Sequence, residues 1–166
     1  MSEHPAPRRF RPLVASLLLG LALGIAPGCG DSDDGNDDSG FDFGSNDPNL
    51  VVCIGDSITA WGYPGYLAPM INKSTINGGV PGAPSADAIR SSGNAVARQP
   101  GYMLILYGAN DVIYGFSHEE VIANLRAALN TARDNKTIPC LATLTPMTGP
   151  EEGLNGQVIA LNERIK

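Results

Sequence analysis

The sequence predicts an α/β domain: a doubly wound parallel sheet in the flavodoxin-like strand order 2-1-3-4-5, with right-handed crossovers. Three observations carry this. Short apolar runs alternate with helical stretches from Leu50 onward, the clearest runs are apolar at every position, and Gly-rich loops follow them. A strand that is apolar at both parities has no polar face to show, as a sheet covered by helices on both sides requires.

Leu50-Val51-Val52-Cys53-Ile54 reads as the first strand, Tyr66–Ile71 as a short helix and Ser74–Asn77 as a weak second strand. Ala86–Val96 follows as a helix weakened by Ser and Gly. Tyr102–Tyr107 is the clearest strand. The best helix runs from Ser117 to Arg133. Ser117-x-x-Glu120 is a capping box, and Val121, Ile122, Leu125, Leu129 and Ala132 line one face. Ile138–Leu144 makes a fourth strand, and Leu154, Val158, Leu161 and Ile165 share a face of a final helix. Cys53 and Cys140 fall on the first and fourth strands with the third between them. That spacing is about 9–10 Å, beyond the roughly 7 Å limit of a disulfide. Both therefore read as buried apolar thiols.

The 166 residues suit one α/β domain, and 43% of them are hydrophobic, enough for a core. The formal charge is −6, which argues against a nucleic-acid partner. The excess sits in one place: Asp31, Asp33, Asp34, Asp37, Asp38, Asp42 and Asp47 occur without a Lys or Arg among them. Arg8, Arg9 and Arg11 precede the apolar run Leu13–Ala26, which is shorter than the about twenty residues that span a bilayer. Residues 1–28 thus read as a secretory signal peptide. Ala26-Pro27-Gly28-Cys29 resembles a bacterial lipobox, which implies a lipid on Cys29 and anchoring in the cell envelope after export. Residues 29–48, rich in Asp, Gly and Ser, read as a disordered tether, and 49–166 as the folded domain. The aspartates of the tether lack the closing Glu of a calcium loop, so no metal is expected there.

Ligands of open α/β sheets bind beyond the carboxyl ends of the strands. The loops there read Gly55-Asp56-Ser57-Ile58-Thr59, Asn77-Gly78-Gly79-Val80-Pro81-Gly82 and Gly108-Ala109-Asn110-Asp111. A serine, a glycine-rich backbone and an asparagine amide thus converge from three loops. A serine that attacks an acyl carbon creates an oxyanion, which needs rigid donors about 3 Å away. Ser57 N–H, Gly79 N–H and the Asn110 amide can supply them. Taken singly, Ser57 suits a helix cap, and Gly79 and Asn110 suit turns; the ordered set favours chemistry.

GDSIT, N-x-G-x-x-G and G-x-N-D resemble the first three blocks of the SGNH (GDSL-type) hydrolases, with Ile58 where Leu is usual. The resemblance covers residues 49–166. It implies a three-layer α/β/α fold and serine-dependent hydrolysis of carboxylic esters, thioesters or acetylated sugars without metal or cofactor. It also implies Ser57 as nucleophile, Gly79 and Asn110 as oxyanion donors, and Asp56 and Asp111 as residues that orient the loops. Trp61, Tyr63 and Tyr114 give the crevice a partly aromatic character.

The base that takes the serine proton comes, in that family, from a D-x-x-H block. No D-x-x-H occurs here; His4 falls in the signal peptide and His118 at the start of a helix. The sequence therefore reads as a piece whose final strand and terminal block are missing, and the gene is expected to encode a D-x-x-H beyond codon 166. The competing expectation is a catalytically dead surface lipoprotein that keeps the shell to bind glycans or acyl groups. A flavodoxin-like phosphate binder is disfavoured by the Asp immediately before the serine.

Overall fold

The structure, a computed structural model, describes residues 40–166. The expected signal peptide, the expected lipidation site Cys29 and residues 29–39 of the expected tether lie outside the described residues.

Four strands form one sheet: β1 (Asp47–Gly55), β2 (Ser74–Gly79), β3 (Pro100–Leu106) and β4 (Ile138–Leu141). Their order is β2-β1-β3-β4 and every pairing is parallel. This is the α/β arrangement read from the sequence, with the first strand on the inside. Seven helical elements connect the strands: α1 (Ser57–Ala60), α2 (Tyr63–Ile71), α3 (Asp87–Val96), α4 (Ala109–Tyr114), α5 (His118–Asp134), a 3₁₀ turn (Gly149–Leu154) and α6 (Asn155–Ile165).

The register explains the two buried faces. Val52 pairs with Met103 and Ile54 with Ile105, so these four side chains share one face. They pack with Ala88 and Ala95 of α3 and with Val121, Leu125, Ala128 and Ala132 of α5, all buried. The opposite face carries Val51 and Cys53, with Leu104 beside Cys53 and Cys140 beside Leu104. Here Tyr63 of α2 lies beside Cys53, and Leu67 is buried. Helices on both faces make three layers. Leu104 separates the two cysteines, as the strand order requires, but Cys140 is only half-buried while Cys53 is fully buried.

Most boundaries fall within three residues of the sequence reading. α5 opens on the expected capping box: Ser117 Oγ accepts from Glu120 N–H, and Glu120 Oε2 accepts from Ser117 N–H. α2 starts at Tyr63 rather than Tyr66 because Pro64 sits in the first turn, where its missing N–H costs no bond. Two differences matter more. β4 ends at Leu141 rather than Leu144, because the Leu144 backbone finds its partners in a side chain: its N–H donates to Asn162 Oδ1 and its carbonyl accepts from Asn162 Nδ2. And the short helix α4 had no periodicity long enough to announce it.

The domain also starts earlier than residue 49. Residues 40–48, read from sequence as tether, belong to the same compact unit as the sheet. The Phe43 ring lies 5.6 Å from that of Tyr102, Asn46 Nδ2 donates to the carbonyls of Asn135 and Lys136, and Asp47 already begins β1. Two Phe and one well-placed Asn are enough to bind a polar segment whose composition suggests disorder.

Candidate active site

Because all four strands are parallel, the loops after β1, β2 and β3 leave the sheet at one end. Asp56 caps α1: its Oδ1 accepts the N–H of Ile58 at 2.9 Å. Ser57 is therefore the first residue of a helix, with its own N–H at the terminus where no intrahelical acceptor exists. The Ser57 hydroxyl is half-buried and has no hydrogen-bond partner among the described residues.

Asn110 stands in the first turn of α4. Gly108 precedes it with φ 124°, a backbone that only glycine adopts without strain, and a Cβ there would press on Leu161. The Asn110 amide nitrogen donates to Ala83 O at 3.1 Å and faces Asp56 Oδ2 at 3.4 Å. One carboxylate thus aligns both the serine helix and the asparagine. Burial raises the Asp56 carboxyl above its usual range; the Ile58 N–H pulls it back, and the negative charge of Asp111 adds to the rise.

Asp111 is buried and ties α4 to the β2–α3 loop. Its Oδ2 accepts from Ser85 N–H at 2.8 Å and its Oδ1 from Ser85 Oγ at 2.7 Å, while Ser85 Oγ accepts from Asn124 of α5 at 3.0 Å. Both Asp111 carboxylate oxygens and the Ser85 hydroxyl are satisfied in this network, the condition under which buried polar groups rigidify their surroundings.

Gly79 has a different setting from the one expected. Its N–H donates to Asn77 Oδ1 at 3.0 Å, so it is already engaged. A Cβ there would fall on the Ala60 backbone nitrogen, with Ala60 Cα 2.7 Å away. Gly79 is thus a glycine because β2 passes close to α1. It does not line the crevice. Gly82, the third glycine of the same block, has φ 75° and an N–H without a partner among the described residues. It immediately precedes Ala83, whose carbonyl holds Asn110. The N-x-G-x-x-G spacing contained this glycine, but the Asn77 side chain decides which N–H is left free.

The crevice has a volume of about 350 Å³. One wall is Ser57, Ile58 and Trp61, another is Ala109, Asn110 and Ile113, and the third is Thr145–Thr148 with Glu151. Sequence reasoning missed this third wall. Asn155 builds it, accepting from Met147 N–H at 2.7 Å and donating to Met147 O at 3.0 Å, and Asn162 does the same for Leu144. Asp56 and Glu151 are the ionisable side chains in the lining; His118, half-buried at the start of α5, is not part of it.

A family model described as GDSL-like lipase/acylhydrolase matches residues 53–166, from the middle of β1 through α6. This chain belongs to that family. Solved structures of the family share its fold. A lipolytic protein of the G-D-S-L family from Desulfitobacterium hafniense superposes with a TM-score of 0.64 at 26% identity, over 70% of this chain and 69% of that one. A G-D-S-L family member from Veillonella parvula gives 0.62 at 23%, over 70% and 69%. The esterase EstA from Pseudoalteromonas sp. gives 0.56 at 21%, over 70% and 71%. No curated protein matches the chain. Membership of the GDSL-like lipase/acylhydrolase family places the chain among the hydrolases.

Proposed function

We propose that this GDSL-type hydrolase is a serine-dependent carboxylic-ester hydrolase, exported and held in a bacterial cell envelope by a lipid on Cys29. Ser57 is the nucleophile. The observation that carries this reading is the presence in one crevice lining of an unengaged Ser57 hydroxyl and of Asn110, whose amide nitrogen is held by Asp56 and Ala83 O. Ser57 Oγ bonds to the acyl carbon while its proton passes to a base. The carbonyl oxygen becomes an oxyanion; when it collapses, the leaving alcohol takes the proton, and water then releases the acid from the acyl-serine. Three donors suit that oxyanion: the Ser57 N–H, the Asn110 amide and, in place of Gly79, the Gly82 N–H. An oxyanion within about 2.7–3.1 Å of Asn110 is a closer acceptor than Asp56 at its 3.4 Å.

The proton acceptor is the weak part of this machine. The lining offers carboxylates only, and Asp56 is occupied with orientation. A positioned histidine typically contributes about 10²–10⁴-fold, so turnover by these 166 residues is expected to fall short of a complete triad by about that factor. Hydrolysis of p-nitrophenyl acetate above background that vanishes in Ser57→Ala supports the proposal; equal rates in both proteins overturn it. Detergent-phase partitioning that is lost in Cys29→Ala tests the anchor. The same lack of a lining histidine favours a second reading, a shell that binds acyl groups or glycans without turning them over. Saturable binding of a substrate ester with no hydrolysis marks that outcome.

A further inference from the structure

The mouth of the crevice is largely apolar, and the one partly exposed charge in its lining is the half-buried Glu151. Trp61 is 82% exposed on one lip. Ile113, Tyr114 and Phe116 are 44%, 57% and 47% exposed on the other, with the Tyr114 and Phe116 rings edge to face at 6.1 Å. The segments 57–72, 79–86, 109–117 and 142–150 around it contain one ionisable acid or base of the Asp, Glu, Lys, Arg or His type, the buried Asp111; the carboxylates of the lining, buried Asp56 and half-buried Glu151, adjoin them, and no cation lies in the lining. Exposed apolar groups in a contiguous patch mark an interaction surface rather than ordinary surface noise.

We infer that this rim is a docking surface for a neutral or zwitterionic lipid–water interface, seated so that the crevice opens onto the lipid. Two arguments select that occupant. Trp and Tyr rings favour the boundary between hydrocarbon and water, where the apolar body is buried and the polar edge stays wet; Ile113 and Phe116 add purely apolar area. And a rim with no cation gains nothing from anionic headgroups, so attraction is by burial, not by charge. The inference rests on the proposed function only for what the crevice does once it is docked; binding itself needs no turnover.

Trp61 is the one tryptophan of the sequence, so its fluorescence reports on this rim alone. The experiment adds the full chain to phosphatidylcholine vesicles that carry brominated acyl chains. The result expected is a blue shift and quenching of Trp61 that 0.5 M-scale salt leaves unchanged. In Tyr114→Ser/Phe116→Ser, which keeps the reporter, the lipid needed for half-quenching is expected to rise about tenfold. The apolar segment Leu13–Ala26 can hold the chain on vesicles by itself, so sedimentation alone does not test the rim. Sedimentation with vesicles without quenching therefore overturns the proposal. So does quenching that needs anionic lipid and disappears in salt. A blue-shifted emission without lipid, together with a doubled mass, assigns the rim to a second copy instead, and a shift caused by acetylated polysaccharide but not by vesicles assigns it to a glycan. The docking readout is independent of Ser57: quenching in Ser57→Ala is expected to equal that of the unmodified chain, so a failed esterase assay and a failed docking test are separate results.

Discussion

Asn110 donates to Ala83 O and faces Asp56 Oδ2, so its aim depends on a carboxylate that is itself buried. Removing the amide in Asn110→Ala is expected to lower kcat about 10²–10³-fold with little change in KM, because an oxyanion donor acts in the transition state. Steady-state kinetics on p-nitrophenyl acetate checks this; a change in KM alone contradicts it. For Asp56 the sign of the pH effect follows from burial. Its carboxyl is raised in the folded chain, so its contribution to stability is full below the ordinary aspartate value of 3.8 and is lost as pH rises through the folded value. Asp56→Asn keeps a capping oxygen and carries no charge. Its stability relative to the unmodified protein is expected to improve from pH 3 toward pH 7 in urea titrations, and a difference that is flat with pH contradicts the burial argument. Cys53 gives a simpler test. Desolvation pushes its thiol up to about 11, against the pull of the Tyr63 hydroxyl beside it. It is expected to resist iodoacetamide at pH 8 in the folded chain and to react once urea unfolds it. At this scale the positions of Ser57 and Asn110 in one crevice lining, with the buried Asp111 beside them, were legible in the sequence because each is a polar side chain just beyond the end of a strand. The difference between Gly79 and Gly82 was not, since both are bare backbone and only the folded position of Asn77 decides which N–H is taken.

Among the elements, α5 is the one whose sequence and structure agree most closely, and its energetics are correspondingly specific. Ser117→Ala removes the hydroxyl half of the capping box, leaving the backbone N–H of residue 117 on Glu120, and is expected to cost about 1 kcal/mol of stability. Leu125, 1% exposed against the sheet, is expected to cost about 2–5 kcal/mol when cut to Ala. Chemical denaturation measures both. α5 was legible because seventeen residues of 3.6-residue periodicity with a cap are a strong local signal. α4 and the crevice wall after β4 were not. Six residues hold too little periodicity, and the wall is held by Asn155 and Asn162 from a helix later in the chain, a long-range choice that no local pattern encodes. The same asparagines explain why the fourth strand stops at Leu141 while its apolar residues continue to Leu144.

For the molecule as a whole, the continuous apolar character of the strands announced a parallel sheet, and the order β2-β1-β3-β4 follows with β1 and β3 at its centre. Composition was a poorer guide to where the domain begins. The acidic, Gly-rich stretch conceals Phe43 and Asn46, which fasten residues 40–48 to β3 and to the α5–β4 turn. The parallel topology brings the β1, β2 and β3 loops to one end, and the helix dipole of α1, the two buried aspartates and the apolar rim all meet there. The claim on which this arrangement stands is that Ser57 is the reactive group. Mass spectrometry of the chain after treatment with a fluorophosphonate tests it most directly, since that reagent bonds to an activated serine oxygen and displaces fluoride. The account predicts a single adduct on Ser57 that disappears in Ser57→Ala; an adduct on another residue, or labelling that persists in the variant, contradicts it.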